Sequence, residues 1–310
     1  MLQASLRHVG LFRLSRLLPA TALLLAAGTS EAQEGGVANR AGRSMPPRPG
    51  GEASFSFRPS VSFDGDGGAE LAATSSQTAV SVRFQLGPRT FLTPGISYQN
   101  QSLDYDGMDA PGNHDLHALD APIMLVHILN QKWSLMGRSS VGLSGDFATL
   151  ERHFSASTAG LAVYRVGPRL GIGLGAAVSY AAGGQWLPLP VATVNWQATD
   201  KLRVEAFLPL FAKATYRAGD RFEVGAALQG EGARWGLDGD EGEATQIDYY
   251  SLDAGAHLGM RLIGTTWINL FGGWNLLRRY DIEGGMDDGA HDPDPGLVMR
   301  AGLEMRLPGS

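Results

Sequence analysis

The tightest constraint on this chain is a two-residue alternation of apolar and polar side chains, repeated segment after segment. The last segment shows it plainly. Leu297, Met299, Ala301, Leu303, Met305 and Leu307 share one parity, and Val298, Arg300, Gly302, Glu304 and Arg306 share the other. Successive side chains of a strand point to opposite sides, so such a segment has one apolar face and one mostly polar face. Residues 53–63 repeat the pattern, with Phe55, Phe57, Val61 and Phe63 set against Ser54, Ser56, Arg58, Ser60 and Ser62.

Alternation alone fits a barrel turned either way. Strand number decides the direction. Soluble closed barrels of about eight strands fill their interior with side chains. This chain carries some fourteen alternating segments between residues 53 and 307, too many to close a lumen with apolar volume. A closed antiparallel transmembrane β-barrel, greasy side outward, needs no such filling and leaves no edge unpaired. A two-sheet sandwich is the competing architecture. No later segment has an uninterrupted apolar run long enough for a membrane-spanning helix.

Residues 1–32 read as a signal peptide. Arg7, Arg13 and Arg16 form its basic start, residues 17–27 its apolar stretch, and Ser30-Glu31-Ala32 its cleavage site. Residues 33–52, rich in Gly, Pro and Arg, read as a flexible periplasmic tail, and the barrel as residues 53–308. The expected location is the bacterial outer membrane. Removal of the signal leaves 22 basic and 30 acidic residues. An acidic chain with no basic block between aromatics does not suit nucleic acid. With no cysteine there is neither a disulfide frame nor a thiolate nucleophile.

Connections fall into two classes. Short turns lie near 87–89, 130–131, 167–168, 198–200, 218–220 and 263–265. The longer ones, often acidic, lie at 64–76, 106–115, 146–154, 182–186, 237–245 and 282–295. Short periplasmic turns facing long outer loops are the mark of outer-membrane barrels. A hairpin at Leu208-Pro209-Leu210 keeps the two classes alternating and gives 14 strands; 12 follow if the first strand stays outside or a pair is miscounted. Aromatics gather near strand ends. Trp133, Trp196, Tyr216 and Trp267 lie beside short turns, and Tyr105, Tyr180 and Tyr280 beside long loops, as two interfacial girdles require.

The run Leu187-Pro188-Leu189-Pro190, then Trp196, Leu208-Pro209 and Tyr216, resembles uncharacterised bacterial outer-membrane β-barrel families, domains of unknown function. These are similar to barrels assigned to transport beside aromatic-degradation pathways. The resemblance implies a barrel and an uptake role, and it carries no site residues. One departure is the end of the chain, Leu307-Pro308-Gly309-Ser310, where many such barrels place an aromatic residue. Recognition by the barrel-assembly machinery would then fall to Leu303, Met305 and Leu307.

The polar parity lines the lumen. Its charged members include Arg58, Arg138, Asp253, His257, Arg300 and Glu304, expected as lining or pairing groups, with Arg83, Arg203, Glu205, Glu223, Arg261 and Arg306. First and last strands are neighbours in a closed barrel. Arg58 therefore pairs with Glu304, or clusters with Arg300 around an anion. Asp253 and His257 share a face but stand about 13 Å apart along a strand, too far for a dyad. No Gly-x-Ser-x-Gly elbow is present, and no Ser/His pair at a hydrolase spacing. The acidic groups Asp64/Asp66, Asp104/Asp106/Asp109/Asp115, Asp238/Asp240/Glu241/Glu243 and Asp287/Asp288/Asp292/Asp294 lack an EF-hand pattern and suit loops beside lipopolysaccharide. No cofactor or metal is expected. The sequence favours passive passage of small solutes through a partly occluded polar lumen. A structural or adhesive barrel displaying acidic loops is the alternative, and a lipid-modifying enzyme ranks third.

Overall fold

A computed structural model describes residues 48–62, 70–106, 114–145, 154–180, 186–236, 244–284 and 289–306. The described residues contain strands and turns and no helix. The strands are β1 (Arg48–Ser62), β2 (Glu70–Gly87), β3 (Thr90–Asp106), β4 (His114–Ile128), β5 (Trp133–Gly145), β6 (Phe154–Gly167), β7 (Leu170–Tyr180) and β8 (Trp186–Gln197). They continue with β9 (Leu202–Leu208), β10 (Phe211–Arg217), β11 (Phe222–Gly236), β12 (Ala244–Ile263), β13 (Thr266–Gly284), the three-residue β14 (Gly289–His291) and β15 (Leu297–Met305).

Each long strand pairs antiparallel with its neighbours in sequence, β13 pairs with β15, and β15 pairs with β1. Fourteen strands thus close into a barrel, while β14 only pairs with the outer end of β13. The hairpin at 208–210 is present, with Pro209 and Leu210 as the whole connection. The first strand starts earlier than the alternation suggests. Residues 48–52, read as tail, pair with β2 and belong to β1. The signal segment, the rest of the tail, residues 307–310 and most of the acidic-loop groups lie outside the described residues.

The faces sort by parity. Outward side chains form an exposed apolar band that includes Val80 and Phe84 on β2, Ile96 on β3, Leu125 on β4, Leu258 on β12, Leu270 on β13 and Met299 on β15. Inward positions are polar or small: Ser97 and Gln101 on β3, Ser140 on β5, Ser179 on β7, Asp253 on β12 and Asn275 on β13 are all buried. Two close approaches need glycine. A Cβ at Gly225 would run into the Ala214 carbonyl oxygen, and one at Gly255 into that of Gly272. At these points the inner wall of β10–β13 has no room for a side chain.

The wall is uneven in height. β9 and β10 are seven residues each, while β11, β12 and β13 run to 15, 20 and 19. Beyond the low hairpin the outer ends of β11–β13 do not stand up as a free rim. Opposite Leu252 and Asp253 of β12, β13 carries one extra residue, Leu276, a bulge of the kind that bends and twists a pair. Past this point the strands turn across the barrel mouth. The Gly230 amide donates to the Leu210 carbonyl at the hairpin tip, 2.6 Å away, and Gly236 bridges to Gly145 at the end of β5. Tyr250 packs against a cluster of inner-face residues, from β6–β9 and the hairpin, that includes Leu161, Val191 and Phe207. On this stretch Gln246, Ile247, Asp248 and Tyr249 are all buried, so both faces of β12 meet protein.

Candidate functional site

Three layers stack inside the barrel. The outermost is the folded-over end of β11–β13. Trp235 stacks on Tyr249 with ring centroids 6.4 Å apart, and Tyr249 lies 4.9 Å from Tyr280. Arg278 donates to the Tyr280 hydroxyl from Nε at 3.2 Å and from Nη2 at 2.9 Å. Leu71, Leu103 and Leu116, inward at the same end of β2, β3 and β4, are equally buried. This apolar cap departs from an outer girdle of aromatics. Tyr280 is wholly buried inside the mouth rather than at a lipid interface. Tyr180 keeps outward parity, beside Phe154, with ring centroids 6.4 Å apart. The side chain of Tyr105 lies outside the described residues.

Beneath the cap sits a four-charge cluster. Arg58 Nη2 donates to Glu231 Oε2, and to Asp253 Oδ2 at 3.1 Å. Arg300 Nη2 lies 3.4 Å from Glu231 and 3.5 Å from Asp253. Its Nη1 donates to Gln229. Asn275 Nδ2 donates to Asp253 Oδ1 at 2.6 Å, and Asp253 has no exposed surface. Two guanidinium groups and two carboxylates balance. Each strand places its member by parity: Arg58 from β1, Arg300 from β15, Glu231 from β11, Asp253 from β12. Of the two arrangements expected for Arg58, the cluster with Arg300 forms, and its anions come from β11 and β12, beyond β13 on the adjoining part of the wall. Glu304 is not a partner of Arg58. Residue 56, not 58, faces Arg300 across the seam, and Glu304 lies opposite Glu52, nearer the short turns.

The third layer lies toward the short turns. Arg306 donates to Glu223 at 2.6 Å and to Glu304 at 3.1 Å, and its guanidinium carbon stands 4.1 Å from the Trp267 ring centroid. Asn269 donates to Glu304 at 2.8 Å. Arg217 lies 3.5 Å from Glu223, and Arg203 pairs with Glu205 at 2.6 Å. Trp267, expected among the lipid-facing aromatics, is therefore an inward residue, 8% exposed under Arg306. Trp133, Trp196 and Tyr216 do lie exposed on the outer face beside short turns. Arg138 faces inward on β5, within electrostatic reach of Asp120.

His257 stands apart from Asp253, as strand spacing requires. Its Nε2 meets the Thr215 hydroxyl at 3.2 Å, reaching across Gly225, and its Nδ1 is buried without a protein partner. Sequence reasoning missed Gln229, Glu231, Asn275 and Lys213 as inner-face groups. The parity of β10, β11 and β13 carries that information, and only a partner's identity needs the third dimension.

Several inward polar groups have no protein partner among the described residues: Ser97, both amide atoms of Gln101, Ser179 and Ser251. Buried polar groups of this kind are normally satisfied by water, so the arrangement suits a wet interior. No group of three or more acidic, His or Cys side chains is placed to hold a metal among the described residues.

Comparison with known proteins adds a family and a set of shapes. A family profile described as "Domain of unknown function (DUF6268)" matches residues 70–286, more than two thirds of the chain. No curated protein matches the sequence. Among solved structures, the COG4313 outer membrane channel from Pseudomonas putida F1 aligns over 86% of this chain and 98% of its own, at 10% identity and a TM-score of 0.49. A Pseudomonas aeruginosa FadL homologue aligns over 90% and 97%, at 10% identity and a TM-score of 0.42. The translocator domain of the autotransporter NalP from Neisseria meningitidis aligns over 86% and 90%, at 11% identity and 0.40. These are likenesses at the level of barrel shape, and the functional reading rests on this chain's own residues.

Proposed function

The chain belongs to the DUF6268 family, and from its own geometry we propose that it is an outer-membrane β-barrel through which small polar solutes pass passively. The observation that carries this reading is the contrast between the two faces of one closed sheet. The outside is an apolar band. The inside holds buried charges and hydroxyl and amide groups with no protein partner. A barrel with such an interior holds water, and an aqueous path selects solutes by the charges that line it. The cap and the neutral four-charge cluster narrow that path at the loop end, so the expected conductance is small.

The test is current through single molecules in planar bilayers. Discrete steps in potassium chloride, absent from mock-purified samples, support the pore. Absence of current, together with no flux of small solutes into liposomes, overturns it. A second reading, a sealed structural barrel, draws on the burial of both faces of β12 at the mouth. The same absence of current would favour it.

A further inference from the structure

Lys213 stands out among the inward cations. It sits on β10, opposite Glu205 of β9 and Ala227 of β11. Three carboxylates act on it electrostatically, Glu205, Glu223 and Glu304, along with the positive charge of Arg306. Each of those carboxylates is already held by a guanidinium: Glu205 by Arg203, Glu223 by Arg306 and Arg217, Glu304 by Arg306. Arg binds carboxylates with a planar fork, whereas Lys offers a compact, mobile point charge. The ammonium is left with no ion pair or hydrogen bond among the described residues.

The groups next to it are also incomplete. Thr215 is two residues along β10 on the same face, about 7 Å away by strand rise. Its hydroxyl meets Nε2 of His257, whose imidazole crosses the gap left open by Gly225. If the hydroxyl donates to Nε2, the neutral ring carries its proton on Nδ1. That Nδ1 is buried, and no protein acceptor faces it. A free ammonium and a free imidazole N–H are thus two donors with no acceptor on one stretch of lumen wall.

We propose that Lys213 and His257 form a binding site in the lumen for a small monocarboxylate, with Thr215 holding the imidazole in place. The ammonium supplies the charge, and the two donors match the two oxygens of a carboxylate. The site rests on the pore reading for access but not for its chemistry. A cation would find every nearby carboxylate already neutralised, so the preference is for anions.

The experiment uses the full chain in detergent micelles with acetate as the probe. Calorimetric titration should show saturable acetate binding. In K213M the affinity should fall ~10-fold or more, since the charge-assisted contact is lost. K213R should stay within ~3-fold of the wild type, and H257N should lie between. Should K213M fail to assemble, K213Q keeps a polar head and removes the charge. Acetate heats that are equal in the wild type and the charge-removing variant overturn the proposal, as does binding of tetramethylammonium instead. Bilayer current is read separately. Acetate binding that K213M abolishes, without any current, leaves the site standing and the pore reading failed. Current without acetate binding does the reverse.

Discussion

The short-turn half and the loop-side end of β11–β13 are built from the same strands, yet they obey different rules. In the lower half each strand divides its residues cleanly. Met260, Leu258 and Ala256 of β12 point out, while Gly259 and His257 point in. Above the Leu276 bulge that division fails, since Gln246 and Asp248 are as buried as Ile247 and Tyr249. Parity sorts side chains only where a sheet has lipid on one side and water on the other. Once the strands turn across the mouth, both sides are protein, and a polar residue needs an internal partner to be tolerated there.

The largest effect is expected where the two halves meet. Asp253→Ala would leave Arg58 and Arg300 to share Glu231 alone. Breaking a buried ionic group in this way costs about 3–5 kcal/mol. Urea titration followed by heat-modifiable gel migration would show the lower midpoint. A midpoint unchanged from the wild type would mean that the cluster does not tie cap to wall.

A charge on the lipid-facing band comes next. Leu270→Arg, outward at mid-strand on β13, should cost about 2–4 kcal/mol in the same titration. Asp220→Arg, exposed in the short turn after β10, should change little. Equal losses at both positions would erase the distinction between the band and the turns below it.

Tyr250→Ala tests the cap directly. Tyr250 packs against the inner-face cluster that includes Leu161, Val191 and Phe207, so its removal should loosen the folded-over strands by about 1–3 kcal/mol, less than a fully buried aromatic. Limited proteolysis should then cut between residues 236 and 246 sooner than in the wild type. At the small end stands Asp200→Ala. Its partner Arg169 is 2.7 Å away, but both side chains are mostly exposed, and no measurable change in midpoint is expected.

Much of this was legible in the alternation. Inward Arg58, Asp253, Arg300 and Glu304 follow from counting, as do the hairpin at 208–210 and the fourteen strands. The partners were not legible. Arg58 and Glu231 are 173 positions apart, and nothing along the chain relates their heights on β1 and β11. Trp267 and Tyr280 misled for different reasons. An aromatic at a strand end suits an interface, but parity puts Trp267 inside, and the Leu276 bulge switches the faces of β13 above it and brings Tyr280 inside too, where Arg306 and Arg278 provide cationic neighbours. The cap escaped notice because its cause is a single extra residue in β13, a matter of register between strands rather than of composition.

The four-charge cluster also has a bearing on how the ring is completed. Arg58 and Arg300 belong to the first and last barrel strands, and their acceptors sit on β11 and β12. An open sheet already brings Arg300 toward the two carboxylates through β13, but holds Arg58 at its far edge. Contacts between such distant segments form late, because the chain between them must first be ordered. Only when β15 zips to β1 do both guanidinium groups reach the two carboxylates together. The cluster therefore marks closure itself: an open sheet with all its hairpins in place would still lack it. A variant missing Asp253 should stall at that last seam rather than at any earlier hairpin.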